Sequence, residues 1–458
     1  MKSQRILVAL LAATLLAAGC SRGGEEVEGT NTTSSTASGD FGDLKNVCQG
    51  GKPSSSPAQG VTAGELEVGV FSDVGFTKNT EFVDAANVFT SWCNAAGGIG
   101  GRKLVATVRD AKLREVRQRM IEACREDFAL VGGGAALDSL GTEDRLKCLL
   151  PDFPAQVVDV KNTGSDLQAS GSGASASRPY NPYTGYHQWL ITTYPASAGA
   201  VGIITGDSPS TKVMVPKFQE SMTAMNASVV YNELYPATGV ADWTPYAQSI
   251  KSKGVKGLLF LGDFRSLAKL EDVLTGMDYK LDWIDANSNA YNSQFLELGG
   301  KSLAGQNNFA DLAGIAPVEA GATVPTVKLV KDLFAKYAPG KDVTYPVLRA
   351  FSAWLLFAKS AAGCGDQLTR KCVYDAATKE TVWTAGGLQA PADVRPTGGA
   401  LPKCYNIVQA TPQGWQQPAE FKPDNGPYRC DMNAYVYKND YGKGLTLADV
   451  GLSINDFK

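Results

Sequence analysis

Histidine is almost missing from this chain: its 458 residues contain one, His187. A histidine-rich metal centre is thereby excluded, and a Ser/His or Cys/His catalytic pair is left with one base to draw on. The nine cysteines include no C-x-x-C pair, which removes the common redox and zinc-ribbon spacings. No G-x-S-x-G elbow marks a hydrolase nucleophile. A basic excess is lacking too. Lys and Arg number 43 against 46 Asp and Glu, for a net charge of -3, so no nucleic-acid partner is expected. The apolar run at residues 6–18 has 13 residues, short of the ~20 a membrane-spanning helix needs.

What is present begins with an address. Lys2 and Arg5 precede that short apolar run, which ends in L-A-A-G-C at Cys20. The pattern suits a secretory signal over residues 1–19 with a bacterial lipobox, cut before Cys20 and lipidated on its thiol. An ordinary signal peptide with an incidental cysteine is the alternative. Lys2 and Arg5 fall within the signal, so 41 of the 43 basic residues stand against 46 acidic ones in the mature chain. Residues 20–60 are rich in Gly, Ser, Thr, Glu and Pro and read as a flexible tether, spanning about 35 Å root-mean-square. A glycosylated stalk is the rival reading of that composition.

Eight cysteines remain beyond Cys20, an even number that suits disulfides in an exported protein. Eight allow about 105 connectivities. The local pairings Cys48–Cys93, Cys124–Cys148, Cys364–Cys372 and Cys404–Cys430 are expected. No metal and no cofactor is implied.

The body alternates strand and helix patterns. Residues 65–71 alternate and then turn continuously apolar, as a strand entering a sheet does. Phe82, Ala86, Phe89, Cys93 and Ala96 form a helical stripe. Strands follow at 103–108, 128–131 and 155–158, with a helix over 113–124. After residue 190 the pattern restarts, with strands at 201–205, 227–231, 257–262 and 281–285 and helices at 213–225, 244–253 and 266–276. A loop is expected at 166–178, long helices at 324–337 and 345–362, and a hairpin around 405–415. The arginine-rich stretch 109–125 has acids interleaved and reads as a solvated helix face. The fold class is α/β, with two doubly wound parallel sheets.

Residues 94–104 read N-A-A-G-G-I-G-G-R-K-L, after a helix and before a strand. A dinucleotide fingerprint must instead follow a strand and open a helix. In this order, behind a lipobox, the motif resembles the signature of the branched-chain amino-acid (leucine-binding) type of ABC-transporter substrate-binding proteins, in the type I periplasmic binding-protein fold. The resemblance covers roughly residues 62–410. It implies two lobes joined by hinge crossovers, 61–190 with 316–385 and 191–315 with 386–458, and a ligand cleft between them. It implies a small-molecule ligand, an ABC permease as partner, a membrane reached through lipidated Cys20 on the outer face of the cell membrane, a monomer, and no catalysis.

Ligands of open parallel sheets bind beyond the carboxyl ends of the strands. The candidates in the first lobe are therefore Ser72, Asp73, Gly75 and Phe76, then Gly133, Gly134 and Ala135, then Asp159. In the second lobe they are Asp207, Asp263, Phe264, Asp285 and Asn287. The resemblance implies that backbone N–H groups near the third strand hold a carboxylate and that an acid of the second lobe holds an ammonium, with Asp285 the first match and Asp263 the second. The Ser/Thr pair usual beside that third strand is missing here. Each strand-end Asp also has a plainer reading as a helix cap or turn former. Tyr180 and Tyr183, in the cluster 178–187, either wall the cleft or pack the hinge. His187 reads as a packed or surface residue. A sensory receptor of the same fold and an exported hydrolase are the alternatives in function.

Overall fold

The computed structural model describes residues 38–173, 179–236 and 238–458. The signal sequence, Cys20 and Arg178 lie outside the described residues.

The first lobe is built on a four-stranded sheet. Its strands are β1 (Glu65–Ser72), β2 (Lys103–Asp110), β3 (Leu130–Val131) and β4 (Asp152–Phe153), in the order β2-β1-β3-β4 and all parallel. Leu66, Val68 and Val70 are fully buried, as their alternation predicts. The expected strand at 155–158 lies a few residues earlier, at β4; residues 155–158 form no strand, because Ala155 and Gln156 N–H donate to Gly133 O rather than into a ladder. After the short strand β5 (Tyr180–Asn181), the second lobe carries β6 (Val201–Asp207), β7 (Val229–Pro236), β8 (Gly257–Leu261), β9 (Trp283–Asp285) and β10 (Asn308–Asp311). These five are parallel, in the order β7-β6-β8-β9-β10. The hairpin β11 (Ile407–Thr411) and β12 (Gly414–Gln416) adds two antiparallel strands at the β10 edge. Helices Thr184–Thr193, Met214–Ala224, Thr244–Ser252 and Phe264–Gly276 alternate with these strands. The result is the expected α/β arrangement of two doubly wound sheets.

The chain passes between the lobes four times, the last as the C-terminal tail. The second and third passages are laced together. Ala316 N–H donates to Leu388 O (2.9 Å) and Ala390 N–H to Gly314 O (2.8 Å). Asn406, fully buried, accepts from Gly314 N–H at 3.1 Å and donates to Ile315 O at 2.7 Å. One side chain thus satisfies two adjacent backbone groups of the second passage.

The four disulfides are Cys48–Cys93, Cys124–Cys148, Cys364–Cys372 and Cys404–Cys430, the expected local set. The first corrects the tether boundary. Residues 38–60 are not free chain. Phe41 is fully buried against Trp92 and Phe351, and Trp92 Nε1–H donates to Ser38 O. Burying a phenylalanine stabilises by roughly 2–3 kcal/mol, which composition averaged over forty residues conceals. The arm also explains the glycine motif. A Cβ at Gly97 would lie 2.4 Å from Gly50 N, and one at Gly101 2.5 Å from Gly51 O; both glycines have positive φ. The motif lets a second backbone lie against the helix end.

The far end also departs from expectation. Residues 386–458 do not all belong to the second lobe. Strand β13 (Tyr435–Val436) pairs with β5, but the tail then returns to the first lobe. Leu445 N–H donates to Lys161 O, Leu447 N–H to Asp166 Oδ2, and Phe457 packs on Tyr374. Arg109, expected on a solvated helix face, is on β2 and buried, paired with Asp127 at 2.6 Å and Glu126 at 2.7 Å. Among the described residues no helix is long and apolar enough to cross a membrane.

Candidate functional site

The strand ends of the first lobe are held by two internal carboxylates. Asp73, which follows β1, is buried; Oδ1 accepts Leu113 N–H and Oδ2 accepts Ala136 N–H, both at 2.7 Å. Gly134 N–H donates to Phe71 O. Two N–H groups of the turn expected to seat a ligand carboxylate are thus already engaged, one of them by the protein's own acid. Gly133, Gly134 and Ala135 line a void of about 30 Å³, room for a water molecule rather than an organic ligand. Asp138, missed in the sequence, does for the loop after β4 what Asp73 does for the others. Its oxygens accept from Val158 N–H, Asp159 N–H and Asn162 Nδ2. Burial pushes its carboxyl up despite those donors. Ser72 Oγ accepts Val74 N–H, Gly75 N–H donates to Asp110, and Asp159 forms a turn through Lys161 N–H. Phe76 differs from all of these: it is 61% exposed.

Several second-lobe candidates follow their plainer reading. Asp263 caps the helix Phe264–Gly276, accepting Ser266 N–H at 3.2 Å, and pairs with Arg265, which stacks on Phe264. Asp207 is exposed and paired with Lys212 at 2.6 Å. Asn287, at φ 66°, caps the short turn after β9. Tyr180 donates its hydroxyl to Gly173 O at 3.0 Å.

Asp285 is placed differently. It is buried, Oδ1 accepts Tyr186 OH at 3.3 Å and Asn287 N–H at 3.0 Å, and Oδ2 lies 3.2 Å from His187 Nε2. His187 is fully buried between Tyr183, Tyr186 and Phe218, and its Nδ1 has no partner among the described residues. Asp285 therefore orients a histidine. It does not lie open to an ammonium group.

Beside it stands a group the sequence reading missed. Asp311 closes β10 and is 3% exposed. Oδ1 accepts Ala313 N–H at 2.8 Å, but Oδ2 has no partner among the described residues. Burial drives its carboxyl up to about 7, the Ala313 N–H opposes this, and the charge of Asp285 adds to it. Tyr345, at the start of the first-lobe helix Tyr345–Cys364, feels the charge of Asp311, and Arg349 lies one turn further along that helix. Burial raises the Tyr345 hydroxyl; Arg349 pulls against that and Asp311 adds to it. Tyr183 is raised chiefly by burial, then by Tyr345, Asp311 and Asp285, with Arg349 opposing. The Arg349 guanidinium lies over the Tyr345 ring at 5.6 Å and forms no ion pair among the described residues. Tyr183, Asp285, Asp311, Tyr345 and Arg349 thus gather where the two lobes meet. A signal for Asp311 existed: N-F-A-D at 308–311 repeats the strand-then-acid form of W-I-D at 283–285.

Two sheets, laced crossovers and a polar cluster between lobes define a hinged binder, and the comparisons agree. A family model described as periplasmic binding protein matches residues 72–415. The chain belongs to the periplasmic binding proteins. This binding protein is similar to the fatty acid ABC transporter substrate-binding protein from Thermomonospora curvata, with a TM-score of 0.67 at 17% identity over 84% of this chain and 95% of that one. It is also similar to the branched-chain amino acid transporter substrate binding protein from Streptococcus pneumoniae solved with isoleucine, with a TM-score of 0.58 at 16% identity over 82% and 100%. A substrate-binding periplasmic protein from Ralstonia solanacearum gives 0.60 at 14% over 77% and 99%. No sequence among the curated proteins matches. The fold is that of type I binding proteins, and its family and neighbours are solute binders, not enzymes.

Proposed function

We propose that this protein is an extracytoplasmic lipoprotein, held to the membrane through Cys20, that closes as a monomer on a small polar carboxylate ligand such as an amino acid or a related compound and presents it to an ABC permease. The observation that carries the ligand class is Arg349. It is a half-buried cation beside Tyr183 and Tyr345, with no ion-pair partner among the described residues. A guanidinium so placed favours a carboxylate through paired N–H donors. The two named ligands among the similar structures, a fatty acid and isoleucine, share a carboxylate on an apolar body. In the turn after β3, two N–H groups already have partners, Ala136 on Asp73 and Gly134 on Phe71 O, which favours Arg349 for that contact. The second acid of the site is Asp311 rather than Asp285, since only Asp311 keeps an unpartnered oxygen. Closure is driven by the ligand's greater affinity for the closed form.

The test is a thermal-shift and calorimetry screen of the full-length protein with amino acids, amides and short-chain carboxylic acids. A matching ligand at a hundredfold its Kd should stabilise by about 2.7 kcal/mol. Arg349→Ala should lower affinity for that ligand by roughly tenfold or more, with its own melting temperature little changed. If Arg349→Ala bound every carboxylate as the parent does, or if only cationic solutes without a carboxylate bound, the reading would fall.

A further inference from the structure

The fourth passage between the lobes lies wholly outside the segment 72–415 that matches the family model. It has one anchor on each lobe. On the second lobe the anchor is Glu220, in the helix Met214–Ala224. Its carboxylate accepts Tyr435 OH (3.0 Å), Lys438 N–H (2.6 Å), Asn439 Nδ2 (2.6 Å) and Tyr441 OH (2.7 Å). Lys217 Nζ lies over the Tyr437 and Tyr441 rings, at 5.9 and 5.8 Å. Burial works against the charge of Glu220, yet the Lys438 N–H, the two hydroxyls and the Asn439 amide hold its carboxyl down to about 2. On the first lobe the tail meets the loop beyond β4. Leu445 N–H donates to Lys161 O, Asp166 N–H to Leu445 O, and Leu447 N–H to Asp166 Oδ2. Leu447 and Phe457 are buried, and Phe457 packs on Tyr374.

Little chain joins the two anchors. Tyr441 is held by Glu220, and Leu445 is bonded to the first lobe. The four residue steps between them span at most about 14 Å when fully extended. The tail also pairs with the first passage. Tyr435 and Val436 face Asn181 and Tyr180 in an antiparallel pair, and Tyr437 N–H donates to Pro179 O. A hinge bends where a few residues change φ and ψ. A crossing chain that is paired along its length resists that change, because its ladder bonds must break with it.

We infer that the tail from Tyr435 onward is a strap that limits how far the two lobes open, with Glu220 as its releasable end. The two anchors differ in kind. The first-lobe end is fixed by buried apolar side chains, which do not leave without exposing them to water. The second-lobe end rests on one half-buried carboxylate, and its partners Lys438 and Asn439 are exposed. Water can replace those bonds at small net cost. Letting go of Glu220 lengthens the free link to eight residue steps, from Tyr437 to Leu445, and doubles its reach to about 28 Å. The inference rests on the reading of two lobes that open and close about a ligand, and not on which ligand that is.

The test uses the full-length protein, dialysed free of ligand and spin-labelled at Leu140→Cys and Ser293→Cys. Both positions are exposed, at the starts of the helices that follow β3 and β9, one in each lobe. Pulsed dipolar spectroscopy reads the distance between the labels. An insertion of about ten Gly/Ser residues between Gly442 and Lys443 adds slack and keeps every bond of both anchors. That variant should melt near the parent's temperature and show longer, broader distances. Glu220→Ala, which releases the second-lobe end, should shift them the same way. Arg349→Ala should leave them unchanged, so failure here is separable from failure of the ligand reading, which calorimetry decides. The inference is overturned if the insertion variant keeps the parent's distances, whatever Glu220→Ala does. Parent-like distances in Glu220→Ala would overturn Glu220 as the releasable end.

Discussion

In the first lobe, the acid after β1 has both oxygens engaged: Asp73 accepts Leu113 and Ala136 N–H and so ties three strand ends together. In the second lobe, the acid that ends β10 has one oxygen on Ala313 N–H and the other without a partner among the described residues. The same side chain at the same kind of strand end serves opposite ends. The first arrangement satisfies buried N–H groups and makes a rigid wall. The second keeps an unsatisfied acceptor buried at the lobe junction, a free-energy cost that a fold tolerates where the site has a task. The strand ends of the first lobe read as frame, while the β10 end of the second lobe, like Arg349 on the first-lobe helix, keeps a polar group that awaits a partner.

The largest expected effect tests the frame. Asp73→Ala leaves two backbone N–H groups unpaired, at about 1–3 kcal/mol each. We expect a loss of roughly 3 kcal/mol in urea unfolding, and a loss below about 1 kcal/mol would remove Asp73 as the tie. A second effect belongs to the core of the second lobe. Asn308 Nδ2 donates to Glu271 Oε2 at 2.9 Å, leaving Glu271 Oε1 and Asn308 Oδ1 without partners among the described residues. Burial raises Glu271 to about 8, against the opposing Asn308 bond. A carboxyl raised in the folded state contributes stability that is complete below its ordinary value, near 4.5, and is lost as pH rises through about 8. Between pH 5 and 9 the parent should lose stability steadily through this group, while Glu271→Gln should lose correspondingly less. Equal slopes in the two proteins would show Glu271 ionised throughout.

How far the comparison was legible in the sequence follows from what each feature rests on. Both sheets could be read, because β1, β6 and β8 are long or continuously apolar and period carries the signal. Strand β4 was displaced because it has two residues, and its position depends on pairing with β3 rather than on any pattern of its own. The arm 38–60 resembles tether in sequence because one buried phenylalanine and one cysteine hardly alter a polar average. Strand-end acids could be found but not sorted. Asp73, Asp263, Asp285 and Asp311 follow or end strands alike, and only the third dimension tells which ties N–H groups together, starts a helix, meets a histidine or keeps one oxygen without a partner among the described residues. Arg349 carried no signal, being one arginine on a mostly apolar helix.

Two smaller effects separate those acids further. Asp263→Ala removes a helix cap and should cost about 1 kcal/mol, with ligand affinity in the cleft unchanged. Altered affinity would return Asp263 to the site. Asp311→Asn should be smallest in stability and opposite in direction. The amide keeps the acceptor for Ala313 N–H and removes a charge that burial and Asp285 both disfavour. Raised to about 7, Asp311 contributes stability below its ordinary range that is lost as pH rises through 7. Near pH 8.5 the variant should therefore equal or exceed the parent, and the difference should shrink as pH falls toward the ordinary carboxylate range. Binding should respond more than folding, because the unpartnered oxygen is gone. If Asp311→Asn instead destabilised as Asp73→Ala does, the second lobe's acid would be a tie like the first's, and the division of the molecule into frame and receptive side would fail.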